Sequence, residues 1–466
     1  MDLHFEEQDN QSLKRFEKML RTDAIYFFDS TEFERIIKHY IDSGKINLAN
    51  KAITLGLQQH PATSGLRLLK AEMLIIEEKY SEALRLLNEV EALEPTNEEV
   101  YIQKALLLSK KEKHEEAIQL LKKALDISEE DNLDVLSLIG MEYLFLEDFE
   151  RALLYFKNCL EIDINDFTNL YNIVYCFDML DQGEQAVTYL NKYIDNEPFS
   201  EVAWHQLGRQ YALLEKFNDS LHAFDYALLI DEKFIGAYLE KAQVLEEVGR
   251  YREAIENYLI TTELDDPSAF AYLRIGKNFE KLKNSSAASE YYLKSNEQDP
   301  FLDKPLIALA NLYFEKEDYK KTLFYLNMLI EIDDENPEYW RLYALSNLKI
   351  SFFEEAAKSF QKCIDLGSNA LDIYMELVDT YYYIGDFKEA IRVLLEAEIY
   401  YHNHADIEYR LSGLYFLIKS TTLGEQYLLK ALRLDTRKYT LFQSIFPVLH
   451  NSRYVKAIVL KFRNSM

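Results

Sequence analysis

The sequence predicts an all-α solenoid of helix pairs stacked one on the next, and three observations carry that expectation. A small residue returns every 34 positions at Ala49, Ala83 and Ala117. After one extra residue it continues at Ala152, Ala186, Ser220, Ala254, Ala288, Thr322, Ala356, Ala390 and Gly424. Each period contains two apolar stripes at helical spacing. Several periods close on a proline, at Pro61, Pro95, Pro198 and Pro300, where a missing amide and a fixed φ stop a helix.

Residues 1–29 come first. Leu13, Phe16 and Leu20 lie at helical spacing and lead into Ile25, Tyr26, Phe27 and Phe28. They predict a helix that caps the open face of the first pair, because the ends of a solenoid need cover. A latch folding into the groove is the alternative.

Twelve units follow over residues 30–438, beginning near Ser30, Ser64, Glu98, Leu133, Phe167, Glu201, Ile235, Ala269, Asp303, Pro337, Leu371 and Ala405. The unit from Glu201 is the clearest. Trp204, Leu207, Gly208 and Tyr211 fall at i, i+3, i+4 and i+7, and Phe217, Ser220, Leu221, Phe224 and Ala227 form the second face. Gly249 and Gly385 mark the turn inside two pairs. Small residues at Gly140, Gly208, Ala242, Gly276, Ala310 and Ala344 let two backbones approach, while Phe156, Phe224, Tyr258, Tyr292 and Phe360 fill the space beside them.

Residues 439–466 read as one more, degenerate helix pair that caps the other end, with Phe442, Ile445, Phe446, Tyr454, Ile458, Val459 and Phe462 as its apolar positions.

At Trp204, Leu207, Gly208, Tyr211 and Phe224 the chain resembles the tetratricopeptide repeat, W-x2-L-G-x2-Y then A-x3-F then P over 34 residues. Ser220 stands at the alanine place and Glu232 at the proline place. Phe33, Ile36, Ile37, Tyr40, Ala49 and Pro61 fill the same columns in the first unit, where bulky Ile37 suggests relaxed packing. The resemblance implies a right-handed superhelical solenoid of about twelve 34-residue helix-turn-helix repeats, capped at both ends. A 35-residue repeat that reads RNA is disfavoured by the spacing and by the charge.

With 52 Lys and Arg against 80 Asp and Glu, the formal charge is −28, which repels an extended phosphate backbone. Nucleic acid is not expected as a partner. Membrane insertion is not expected either, since no window approaches the ~20 apolar residues of a span. Together with three widely spaced cysteines, Cys159, Cys176 and Cys363, this predicts a cytoplasmic protein with inert core thiols. One local exception exists. From Arg433 onward seven cations (Arg433, Arg437, Lys438, Arg453, Lys456, Lys461, Arg463) face one acid, Asp435, which leaves open a docking site for an acidic partner or neighbour.

No motif in the chain points to enzyme chemistry. No Gly-rich phosphate cradle, GxSxG elbow or Cys/His pairing is present. His402-Asn403-His404 with Asp406 reads as a solvated turn rather than a metal site, and Glu129-Glu130-Asp131 and Asp333-Asp334-Glu335 read as solvated linkers. No catalytic residue, metal or cofactor is expected.

The resemblance further implies that the first helix of each pair lines a concave face that receives protein or peptide segments. The columns flanking the packing stripe give Tyr171, Tyr175, His205, Arg209, Lys277, Lys281, Asn311, Arg341, Asp379, Tyr382 and Tyr383. Some members clamp a C-terminal carboxylate with lysines and asparagines. Here Ile307 replaces the lysine four residues before Asn311, and His205 with Arg209 imitates the clamp only in part. The expected function is therefore a non-catalytic scaffold for protein–protein interaction. The alternative is a structural subunit assembling a larger complex through its convex face or basic C-terminal end. Monomer and homodimer both stay open.

Overall fold

A computed structural model of the chain describes residues 2–22, 26–128, 132–264 and 268–464, with side chains from Ser12 onward. The Glu129-Glu130-Asp131 cluster and Ile25 lie outside the described residues. Every regular element among the described residues is helical. The chain divides into two compact units, residues 1–237 and 238–466.

Helix α1 (Asp2–Thr22) comes first, followed by twelve helix pairs from α2 (Ser30–Asp42) and α3 (Ile46–Gln59) to α24 (Ala405–Leu417) and α25 (Thr421–Leu434). The first helices of the pairs start at the twelve residues where the period places unit starts. Short polar residues stop the preceding turn by accepting orphan amides: Asn132 from Val135, Asp166 from Asn169, Ser200 from Ala203 and Ser268 from Ala271. Asp29 forms a reciprocal box with Glu32, at 2.7 and 3.0 Å.

The turn inside each pair has one residue in the left-handed region, with φ between 56° and 87°. These residues are Gly44, Glu78, Glu112, Glu147, Asp181, Glu215, Gly249, Lys283, Glu317, Ser351, Gly385 and Lys419. Their spacing repeats the period, including the extra residue before Glu147. Only three of the twelve are glycine, so glycine alone reveals few of the turns.

Within a pair the backbones close over an aromatic ring. A Cβ built on Gly140 would lie 2.5 Å from the Phe156 ring, on Gly208 2.6 Å from Phe224 and on Gly276 2.5 Å from Tyr292. These rings are fully buried. The first pair solves the same problem with the sizes exchanged. Ile37 and Ile53 are both buried, an isoleucine standing at the small place and another at the aromatic place, and Gly56 makes room for Phe33. The expected relaxed packing is thus absent, because volume added on one helix is removed from the other.

In residues 1–237, α1 packs on α2. Phe16 is fully buried, its ring 5.9 Å from Phe28 and 6.2 Å from both Phe33 and Tyr40. In residues 238–466, the segment after α25 differs from a simple pair. A short 3-10 turn leads into α26 (Tyr439–Ile445), α27 (Pro447–Asn451) and α28 (Arg453–Asn464). Pro447 lacks the amide needed to continue α26, so the first member of the pair is broken in two.

All three cysteines are buried, and burial pushes their thiols up, Cys159 to about 11 and Cys176 and Cys363 to about 12. The Cys363 thiol donates to the Pro337 carbonyl at 3.3 Å, and at the equivalent place Ser295 donates to the Ala269 carbonyl at 2.7 Å. Small polar residues here tie the second helix to the start of the first.

Candidate interaction face

In residues 1–237 several first helices touch the first helix of the next pair. Helix α2 contacts α4 (Ser64–Ile76), α4 contacts α6 (Glu98–Ser109), and α10 (Phe167–Met179) contacts α12 (Glu201–Leu213). The expected residues Tyr171 and Tyr175 stand on α10 one turn apart and 40% and 48% exposed. Arg209 on α12 is half-buried and donates to Gln206 Oε1 at 3.0 Å. His205 is buried, its ring 5.8 Å from Phe224 and 4.8 Å from Phe234.

The same helices and α8 carry exposed residues that sequence reasoning missed. At the thirteenth place of the first helix stand Phe145 on α8 (Leu133–Phe145), Met179 on α10 and Leu213 on α12, 57%, 50% and 66% exposed. Phe145 stacks on His114, ring centroids 5.1 Å apart, and His114 Nδ1 meets buried Glu142 at 2.8 Å. Phe149 sets the Tyr175 ring edge-on at 6.3 Å. The signal was available, since a column at the thirteenth place of the 34-residue period reads Phe, Met, Leu in three successive units.

In residues 238–466 the corresponding columns look different. Lys277 and Lys281 on α16 (Ala269–Lys281) and Asn311 on α18 (Asp303–Glu315) are exposed polar groups. Arg341 on α20 (Pro337–Lys349) donates to Asp372 at 2.5 Å and lies 3.6 Å from Glu376 on α22 (Leu371–Ile384). Burial pushes the Glu376 carboxyl up, and Arg341 opposes that. Asp379 on α22 is bidentate to Arg410 on α24. Tyr382 donates its hydroxyl to the Ile445 carbonyl at 3.3 Å, its ring 5.6 Å from Phe446, which also packs on Gly413. Tyr383 is 69% exposed and stacks on Phe353 at 5.7 Å. The structure thus brings Tyr171 and Tyr175 onto an apolar surface and ties Arg341, Asp379 and Tyr382 into internal contacts.

Models described as tetratricopeptide repeat match residues 74–140, 133–165, 168–200 and 271–301. The chain is a tetratricopeptide repeat protein. Among curated relatives, a TPR repeat-containing protein of Methanocaldococcus jannaschii is 22% identical over 423 residues, covering 83% of this chain and 70% of the relative. The anaphase-promoting complex subunit cut9 of Schizosaccharomyces pombe is 23% identical over 214 residues, 43% of this chain and 31% of that subunit. Among solved structures, the APC/C hetero-tetramer Cut9-Hcn1 is 16% identical, with 92% of this chain and 94% of that chain covered and a TM-score of 0.33. In this repeat protein no three His, Cys, Asp or Glu side chains converge as metal ligands among the described residues. None of its described helices is long and apolar enough to cross a membrane.

Proposed function

We propose that this protein is a non-catalytic interaction scaffold whose partners are other proteins, and that it receives a partner segment on the inner face of residues 133–213. The observation that carries the reading is the exposed ribbon of Phe145, Tyr171, Tyr175, Met179 and Leu213 on successive first helices. Large apolar side chains left in water on a face of packed helices gain by being covered, at roughly 25 cal/mol per Å². Tyrosine adds a hydroxyl that can meet a backbone amide. Arg209 beside them supplies a cation for a carboxylate on the incoming segment.

The test compares affinity purification from the native cell of the wild type with a Phe145→Ser/Tyr175→Ala/Leu213→Ser variant and a Lys277→Ala/Lys281→Ala control. Partners lost from the first variant and kept by the control support the inner face. Identical partner sets from all three would remove it.

A second reading, a structural subunit that assembles a larger complex, is favoured by the last helices. Of the seven cations after Leu432, Lys438 pairs with Asp406 at 2.9 Å and Arg437 with Asp435 at 3.3 Å. Among the described residues the other five have no ion pair. Deleting residues 439–466 separates the two roles, since it removes assembly and spares segment binding.

A further inference from the structure

The C-terminal helices hold a cleft of about 600 Å³ between α25 and α28. Leu429, Ala457, Ile458 and Phe462 line it with apolar surface, and Arg433 and Lys461 stand exposed at its edge. At the other end the Tyr454 hydroxyl donates to Glu425 at 2.8 Å, eight residues and about 12 Å along α25 from Arg433. Along α28, Arg453, Lys456, Lys461 and Arg463 accompany half- or well-exposed Tyr454 and Leu460, and the helix has no acid. The helix is thus apolar and cationic, with unpaired charges.

The rest of the chain supplies the opposite chemistry. Residues 433–466 hold seven cations and one acid, a net +6, so the other residues carry 45 cations and 79 acids, a net −34. Several stretches carry acids without a cation, among them residues 126–137, 329–340 and 1–12. Residues 1–12, Met-Asp-Leu-His-Phe-Glu-Glu-Gln-Asp-Asn-Gln-Ser, contain Asp2, Glu6, Glu7 and Asp9, no Lys or Arg, and apolar Leu3 and Phe5.

We propose that the cleft between α25 and α28 is a docking site for the acidic N-terminal segment of a second copy of this chain. Leu3 or Phe5 enters over Leu429 and Ile458, and the flanking carboxylates meet Arg433 and Lys461. The inference rests on the assembling role and is independent of the inner face. Because the contact joins two different surfaces, copies either add head to tail or close when two of them exchange segments reciprocally. A match of opposite charges also makes association fall with added salt.

The test uses the full chain and a fluorescent, N-acetylated peptide of residues 1–12. The expected result is saturable peptide binding at low ionic strength, weakened at least tenfold in the Arg433→Glu/Lys461→Glu variant. A peptide with Asp2, Glu6, Glu7 and Asp9 replaced by lysine binds that variant and not the wild type. Sedimentation velocity of the full chain shows species beyond the monomer at low salt, lost on either charge reversal and regained when both reversals are present in one chain. Arg433 and Lys461 are exposed, and far-UV circular dichroism checks that each variant stays helical. A peptide that ignores the Arg433→Glu/Lys461→Glu change overturns the proposal, as does a chain that stays monomeric. Binding of unrelated acidic peptides while the full chain fails to self-associate overturns it too, and assigns the cleft to a different protein.

Discussion

The two units of this protein share one frame and carry opposite surfaces. In residues 1–237 the flanking columns of the first helices leave Phe145, Tyr175, Met179 and Leu213 in solvent. In residues 238–466 the same columns are mostly polar, with Arg341 paired to Asp372 and Asp379 to Arg410 across neighbouring repeats and Tyr383 the exposed aromatic among them. The packing columns do not distinguish the units, since Gly208 under Phe224 and Gly276 under Tyr292 are the same device on either side of the division. The repeat fixes which residues are buried, and only the positions beside the packing stripe are free to differ. A functional assignment in such a chain belongs to columns and not to the fold.

Removing a charge from the polar lattice should have the largest effect. The Arg410 side chain is 11% exposed and Asp379 42%, so Asp379→Ala strands a nearly buried guanidinium. The expected loss is about 2–3 kcal/mol, measured by urea denaturation. Phe145→Ser and Leu213→Ser in the other unit should change stability by less than about 0.5 kcal/mol, because their side chains are already in water. Equal losses at both places would erase the distinction between a structural and an available face.

The next effect tests what the units share. Gly208→Ala and Gly276→Ala should each cost about 1–2 kcal/mol, because the added methyl meets a ring that cannot retreat. The Tyr292 ring is further held by a hydroxyl bond to Glu280 at 2.6 Å. A helix-propensity gain of about 1 kcal/mol for Gly to Ala works against the clash, so a neutral result in one unit only would show that its pairs are more loosely closed.

The polar unit also contains a buried carboxylate. Glu408 on α24 is fully buried and shares Lys430 with Glu398, each oxygen 2.5 Å from the ammonium. Burial pushes the Glu408 carboxyl up, Lys430 works against this, and the Glu398 charge adds to it. A carboxyl that binds its proton more tightly folded than unfolded weakens the fold above its folded pKa, and the penalty fades as pH falls toward the usual value of 4.5. Glu408→Gln should therefore be the more stable protein at pH 7.5, with the advantage shrinking at pH 4.5. The measurement is the difference in denaturation midpoint at the two values. A difference independent of pH would mean that Lys430 cancels the effect of burial and leaves the carboxyl titrating alike folded and unfolded.

These contrasts were unevenly legible in the sequence. The helix starts, the one-residue insertion before Ala152 and the small-against-aromatic columns could be read, because packing repeats with the period. The exchange of Ile37 and Ile53 with Gly56 could not be read from one helix alone, since the compensation sits on its partner. Tyr171 and Tyr175 were legible as exposed aromatics. Arg341 and Asp379 looked equally available, because their partners Asp372 and Arg410 lie 31 residues away, on the next repeat. Phe145, Met179 and Leu213 escaped notice because apolar residues at a helix end resemble core until burial is known.

The smallest effect concerns the turns inside the pairs, where both units spend a little stability in the same way. Nine of the twelve left-handed positions carry a side chain, among them Glu147 and Glu215 in the first unit and Lys283 and Glu317 in the second. A left-handed residue with a Cβ is strained by about 1 kcal/mol, and glycine relieves this while adding disorder to the unfolded chain. At the glycines already there, Gly44, Gly249 and Gly385, the surroundings are open, with nothing within 4 Å of an added Cβ. The conformation and not a contact therefore decides the outcome. Glu215→Gly and Lys283→Gly should each raise stability by about 0.5 kcal/mol, and Gly249→Ala should lower it by about 1 kcal/mol. If Glu215→Gly stabilises and Lys283→Gly does not, the turns themselves differ between the units. The common frame would then end at the helices.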